Sequence, residues 1–208
     1  MARPANPELR GKILRAAADI VESCGPDCVT MREVAEKVGY SSTTLYLYFK
    51  DKNAILKESV LNAFDELNES CRLAMVGPSA LDKYRQRCRA YVIWGLTHPG
   101  HYTLMFQLPW EMDWSVQFTE ETFGRLTQGR KEDLIVLREA LDGGELATGV
   151  DLEALEDSVW AALHGATSLA ISGRLTGAST DAGPAEKVAV TTRISDDLVN
   201  SLIACRLP

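Results

Sequence analysis

The sequence is poor in the residues that metal and catalytic centres draw on. It has only three histidines, His98, His101 and His164. His98 and His101 stand three apart but flank Pro99-Gly100, so they share no regular helix face. Five cysteines are an odd number without framework spacing, which points to reduced thiols and a cytoplasmic chain rather than a disulfide scaffold. Cys24-x3-Cys28 has no second Cys/His pair at zinc spacing, so no metal is expected. No apolar run approaches the ~18 residues a membrane span needs. The opening stretch MARPANPELRGK lacks the apolar segment of a signal peptide. There is no G-x-S-x-G, no phosphate-binding loop and no dinucleotide fingerprint. Adjacent acids such as Glu120-Glu121 and Glu156-Asp157 fall on what the periodicity makes polar, solvated helix faces. Neither an enzyme nor a cofactor is expected.

An excess of positive charge is also missing. The net charge of −7 argues at first against nucleic acid. Its distribution answers the objection: residues 1–60 hold nine Lys/Arg and eight Asp/Glu, and residues 61–208 hold thirteen and twenty-one. The acidity belongs to the second part. Phosphate responds to charge within a Debye length of about 8 Å, so a local basic patch matters more than the total.

Hydrophobic residues make up 46% of the 208, ample for a core. With no strand alternation and no internal repeat, the pattern predicts an all-α fold of about nine helices. The most informative stretch is Thr30 to Lys52, TMREVAEKVGYSSTTLYLYFKDK. Thr30 and Glu33 make a capping box. Val34, Ala35 and Val38 form one apolar face, and Gly39 stands where a helix ends. Ser41-Ser42 offers caps for a second short helix in which Leu45 and Phe49 point inward. That leaves Thr43, Thr44, Tyr46, Leu47 and Tyr48 outward. Such a hairpin, with hydroxyls at the start of its second helix, suits entry into a DNA major groove.

At these residues the chain resembles the tetracycline-repressor (TetR) family. Thr30, Ala35, Gly39, Leu45, Tyr46, Phe49, Lys52 and Leu56 stand where that family carries its signature, and the resemblance is specific from about Arg10 to Val60. One departure is Thr43, where the family often has Gly or Ala next to a base-contacting position. On this basis Ser42, Thr43, Thr44 and Tyr48 are expected at base edges or the groove floor. Thr30, Ser41, Tyr46 and Lys52 are expected on phosphates, and Arg32 is placed for either role. Hydroxyls serve several bases, and threonine methyls meet thymine methyls.

Before this stretch, Asn6-Pro7 opens a helix with the stripe Leu9, Ile13, Ala16, Ala17 and Ile20, stopping at Gly25-Pro26. Its Arg10, Lys12 and Arg15 are candidates to approach the DNA backbone. After it, Asp51 caps a helix from Lys52 to about Met75, long enough at 1.5 Å per residue to span about 35 Å and join a head to a body. The expected division is a helix-turn-helix domain over 1–52, a connecting helix over 53–76 and an effector and dimerisation domain over 77–208.

Further helices are expected from Ser79 and ending before His98-Pro99, over 101–108, from Trp114 to about Leu141 with Asp113 as cap and Asp142-Gly143-Gly144 as stop, from Asp151 to about Ser172, and from about Ala185 to Cys205. The last two carry extra apolar positions and small residues. Leu155, Val159, Ala162, Leu163, Ala166, Ile194, Leu198 and Leu202 are candidates for a homodimer surface, with an intramolecular core as the other reading. The family resemblance implies a four-helix bundle there, and two heads on a two-fold axis would read a palindromic double-stranded operator.

The segment from Trp94 to Phe123 is crowded with aromatic and Met side chains, a composition that suits an apolar pocket as well as an ordinary core. Trp94, Tyr102, Met105, Phe106, Trp110, Trp114, Phe118, Trp160 and His164 are the candidate ligand residues. The resemblance implies a small-molecule effector here whose binding lowers DNA affinity. Trp160-Ala-Ala-Leu-His164-Gly165 is loosely similar to a C-terminal subgroup named for its Trp-His-Gly motif. The competing reading is a helical ligand-binding or interaction protein whose head no longer engages specific DNA.

Overall fold

The computed structural model describes residues 6–106, 119–175 and 183–207. Among them the regular structure is helical throughout. The order is α1 (Pro7–Cys24), a single 3-10 turn (Pro26–Cys28), α2 (Met31–Val38), α3 (Ser42–Tyr46), α4 (Lys52–Ala74), α5 (Ala80–Thr97), α6 (Pro99–Phe106), α7 (Glu120–Asp142), α8 (Leu152–Ile171) and α9 (Pro184–Ala204). No described helix is long and apolar enough to cross a membrane. The chain divides into two compact units, residues 1–65 with 98–125, and 66–97 with 126–208. The first division falls inside α4, after Asp65.

In the first unit the helix boundaries follow side-chain chemistry. Asn6 caps α1 by accepting from the Glu8 N–H at 3.0 Å, and Pro7 opens the helix. Thr30 caps α2 by accepting from the Glu33 N–H at 3.1 Å. Gly39 ends it at φ +75°, the left-handed region open to glycine at little cost. Asp51 accepts from the Ala54 N–H at 2.8 Å to start α4. The core gathers Leu9, Ile13, Ala17, Val29, Val34, Leu45, Phe49, Ile55 and Leu56 with Leu104 of α6. Helix α6 crosses α1 closely at Gly100: a Cβ there would lie 2.7 Å from the Glu22 Cβ and 2.8 Å from the Ala18 carbonyl oxygen. It starts at Pro99, two residues earlier than expected, because proline at the first helical position wastes no N–H.

In the second unit α5 packs on α8 and α9 around Tyr84, Val92, Leu137, Leu155, Val159, Leu163, Val199 and Ile203. At the start of α5 the Ser79 hydroxyl oxygen accepts from the Asp82 N–H at 3.1 Å, and its O–H donates to the Asp82 carboxylate at 3.1 Å. Glu145, from the loop after α7, also accepts from the Ala80 and Leu81 N–H groups at 2.9 and 3.1 Å. Helix α7 begins in the first unit, at Glu120 behind a Thr119 cap whose Oγ1 accepts from the Thr122 N–H at 3.2 Å, and continues into the second after Arg125. The expected start at Asp113 lies outside the described residues.

Helix α9 buries Thr191, Ser195, Val199 and Ile203 within the single chain. One sequence expectation is corrected here. Glu156 is not solvated: it is buried on α8 and pairs with Arg130 of α7, which also holds Asp157. Burial pushes the Glu156 carboxyl up to about 7 despite Arg130. A carboxyl raised in the fold stabilises most where it is protonated in both states. Its contribution is full below its ordinary, unfolded value of 4.5 and is lost as pH rises through about 7. Glu156→Gln removes that titration while Arg130 keeps Asp157. The variant is therefore expected to melt above the wild type at pH 8 and close to it at pH 5. Parallel melting curves across that range would contradict the assignment.

Candidate nucleic-acid interface

The recognition element is α3 with its flanks. Ser41 accepts from the Thr44 N–H at 3.2 Å, and the two hydroxyls lie 2.9 Å apart. Leu45 and Phe49 are buried, anchoring the helix to the unit's core. What remains outward is Tyr40 in the turn, then Thr43, Tyr46 and Leu47. Leu47 is 79% exposed, an unusual position for a large apolar side chain unless something covers it. Tyr40 and Leu47 were not among the expected contacts. Leu47 was expected to point outward but was given no role, and Tyr40 lies in the turn before the helix, where periodicity says nothing.

Thr30 and Arg32 are exposed on one flank, and Lys52 is half-buried at the first residue of α4 on the other. The cap uses the Thr30 oxygen as an acceptor, so its own O–H is left to donate to a phosphate oxygen. Ser42 and Thr44 are half-buried and Thr43 is exposed. Thr44 is tied to Ser41 through its hydroxyl, and its methyl is the part left for a thymine methyl.

Two expected contacts are placed elsewhere. Tyr48 is half-buried against the core, and its hydroxyl accepts from the Asn6 N–H at 3.1 Å. It ties the start of α1 to the end of the recognition element instead of projecting with Tyr46. Arg10 is locked internally. Its Nε donates to Glu58 at 2.6 Å and a second bond goes to the same carboxylate. Its Nη1 donates to the Tyr48 carbonyl at 3.1 Å, and its guanidinium carbon lies 4.3 Å from the centre of the Phe49 ring. A bidentate, stacked arginine is a brace, not a mobile phosphate contact. Lys12 pairs with Glu8 at 2.9 Å.

In the second unit, Leu155, Val159, Leu163 and Ala166 are buried within the single chain. They are taken up by its own core and have almost no surface left for a partner. Ala162, Ile194 and Leu202 are half-buried, and Leu198 is exposed. Trp160 and Leu169 of α8 are exposed as well. Trp160 stacks on His164 with ring centroids 5.3 Å apart, and His164 Nδ1 lies 3.4 Å from the Tyr91 hydroxyl. Burial lowers the His164 pKa, which favours the neutral imidazole.

The expected ligand residues divide between the units. Tyr102 is buried and Met105 and Phe106 are partly buried in the first, where Phe106 meets Tyr102 at 4.8 Å and Phe64 at 5.6 Å. Trp94 is buried in the second. Trp110, Trp114 and Phe118 lie outside the described residues. An open cavity of about 360 Å³ in the second unit is lined by Leu134, Ile135, Arg138, Glu139, Asp142, Leu152 and Glu153, none of them an expected ligand residue.

Residues 13–59 match the family described as bacterial regulatory proteins, tetR family, and residues 84–192 match the tetracyclin repressor-like C-terminal domain. No curated protein matches the sequence significantly. Among solved structures, a protein of unknown function from Rhodococcus sp. RHA1 is similar with a TM-score of 0.74 at 22% identity, covering 98% of this chain and 100% of that one. The fatty acid degradation regulator FadR from Bacillus halodurans has a TM-score of 0.72 at 14% identity, covering 95% and 97%. The TetR family transcriptional regulator PfmR from Thermus thermophilus has a TM-score of 0.68 at 20% identity, covering 90% and 97%. At these identities the likeness is one of fold.

Proposed function

We propose, on the premise that the chain belongs to the tetracycline-repressor family of transcription regulators, that it is a homodimeric repressor of a palindromic operator, released by a small apolar or aromatic effector. The family comprises regulators, not enzymes. The observation that carries the reading is the capped recognition helix, which points Thr43, Tyr46 and Leu47 away from the core while Thr30 and Lys52 flank it. Groove contacts fall to Ser42, Thr43 and Thr44. Phosphate contacts fall to Thr30, Ser41, Tyr46 and Lys52, with Arg32 placed for either. In this reading residues 1–52 form the DNA-binding domain, 53–76 the connecting helix and 77–208 the effector and dimerisation domain.

The exposed Trp160, Leu169 and Leu198 support a partner surface on α8 and α9, because large apolar side chains lose their hydration cost when a second copy covers them. The effector is assigned to the aromatic-rich segment that starts at Trp94. Coupling of effector to DNA is supported by α6, whose Gly100 sits against α1 with no room for a side chain. Movement of α6 therefore bears directly on the helix behind the recognition element.

The test separates positioning contacts from reading contacts. Lys52→Ala is expected to weaken binding to all duplexes alike and to reduce the salt slope by about one unit. Thr44→Ala is expected to change sequence preference, with the salt slope unchanged. Fluorescence anisotropy titrations at several salt concentrations read both. A Lys52→Ala protein with the wild-type salt slope would remove that residue from the phosphate set.

A further inference from the structure

Cys24 and Cys28 play no part in the DNA contacts above, yet the fold sets them side by side. Cys24 ends α1, Gly25 turns the chain at φ +90°, and Cys28 ends the 3-10 turn. The Cys28 thiol folds back to donate to the Cys24 carbonyl at 3.1 Å, and the Cys24 thiol donates to the Ile20 carbonyl at 3.4 Å. The Cys28 sulfur is thereby held against the residue that carries the Cys24 thiol. Cys24 is exposed and Cys28 partly exposed. Cys71 and Cys88 are buried, and burial pushes the Cys71 thiol up to about 12, so neither is a nucleophile near neutral pH. Cys205 is exposed but follows α9, far along the chain.

We propose that Cys24 and Cys28 form an exchange site for small-molecule disulfides, closing to an intrachain disulfide within the DNA-binding head. Cys24 is the more exposed of the two, so it is the thiol that a small disulfide meets first. The Cys24 thiolate attacks one sulfur of the small disulfide, its S–S bond breaks, and one small thiolate leaves. Cys28 then gives its proton to water, attacks the Cys24 sulfur and expels the second small thiolate. Two protein thiols are oxidised by two electrons, and one small disulfide is reduced to two thiols.

Closure removes both S–H donors from the turn that leads into Val29 and Thr30. Val29 is fully buried and Thr30 is the cap of α2, so the turn cannot shift without disturbing that cap. Weaker DNA binding follows, a consequence that rests on the DNA-binding reading above.

The experiment uses the full chain carrying Cys205→Ser, equilibrated with reduced and oxidised glutathione, quenched in acid and read by mass spectrometry. The expected product has lost two hydrogens, located in a peptide carrying both Cys24 and Cys28. Adding Cys28→Ser is expected to stop the reaction at one glutathione adduct on Cys24. Accumulated glutathione adducts or chain-to-chain disulfides in place of the closed form would overturn the proposal. Anisotropy on a bound duplex is expected to show about fivefold weaker binding after oxidation, the scale of one lost cap, with recovery in dithiothreitol. Equal affinity of the two forms would overturn the regulatory consequence. A reduced protein that bound no duplex would instead overturn the DNA reading and leave the disulfide result standing.

Discussion

Arg87→Met is expected to cost the protein about 3–5 kcal/mol, the range for removing one partner from a buried ion pair. Arg87 of α5 is only 4% exposed. Its Nε donates to Asp133 at 2.5 Å, its Nη1 to Glu132 at 2.9 Å and its Nη2 to the Gly129 carbonyl at 3.0 Å. One guanidinium thus serves three acceptors on α7. Methionine fills similar volume but leaves two carboxylates and a carbonyl without that donor. Burial already pushes the Asp133 carboxyl up to about 6 with Arg87 in place. Without the cation it rises further, so the loss should be larger at pH 8 than at pH 5. Urea unfolding followed by circular dichroism at the two pH values reads both effects. Arg87→Met with Asp133→Asn should recover part of the loss, because removing both partners of a buried pair is far cheaper than removing one. A single variant within about 1 kcal/mol of wild type at pH 8 would mean that Arg87 is not the network's main cation.

The second large effect is expected at Gly100. Gly100→Val places a branched side chain where even a Cβ would stand 2.7 Å from the Glu22 Cβ and 2.8 Å from the Ala18 carbonyl oxygen. The obstacle includes backbone, so rotamer changes alone cannot relieve the clash. Either α6 backs away from α1 or the strain is carried, at about 1–3 kcal/mol for overpacking of this kind. The variant should melt earlier. It should also bind DNA more weakly at temperatures where it remains folded, although no recognition residue is touched. Normal melting and normal DNA affinity together would show that α1 and α6 separate without consequence. The coupling of α6 movement to the head would then fail.

How much of this was readable in the residues depends on the range of the interaction responsible. Most helix starts set by a neighbour in sequence were legible: Asn6, Thr30, Ser41, Asp51, Ser79 and Asp151 all accept from N–H groups two or three residues on. The glycine stops at Gly39 and Gly144 were legible for the same reason, since both sit at positive φ. Contacts between distant residues were not. The Arg10 brace joins residues 48 apart in sequence, and the Glu145 cap on α5 reaches back across 65. Nothing local marks either one.

The inward face of α9 was not legible, for a different reason. Its inward face carries the hydroxyls of Thr191 and Ser195, while Leu198 faces out. The Thr191 hydroxyl satisfies itself on the Lys187 carbonyl at 2.7 Å, which makes a polar residue tolerable inside. Periodicity counts apolar residues and cannot see that exchange. Within the recognition element, Thr43 and Tyr46 came out exposed as expected. Tyr48 did not, because its ring packs on the core and its hydroxyl finds the Asn6 N–H.

The central claim is that two copies of this head read an inverted repeat. The most direct measurement is selection of bound fragments from a random duplex pool by the purified, reduced protein at near-physiological salt. The account predicts enrichment of a palindrome whose half-sites are one helical turn, about 34–36 Å, or a multiple of it apart. Salt-sensitive background binding with no enriched sequence, or an enriched single half-site with no symmetric partner, would contradict it.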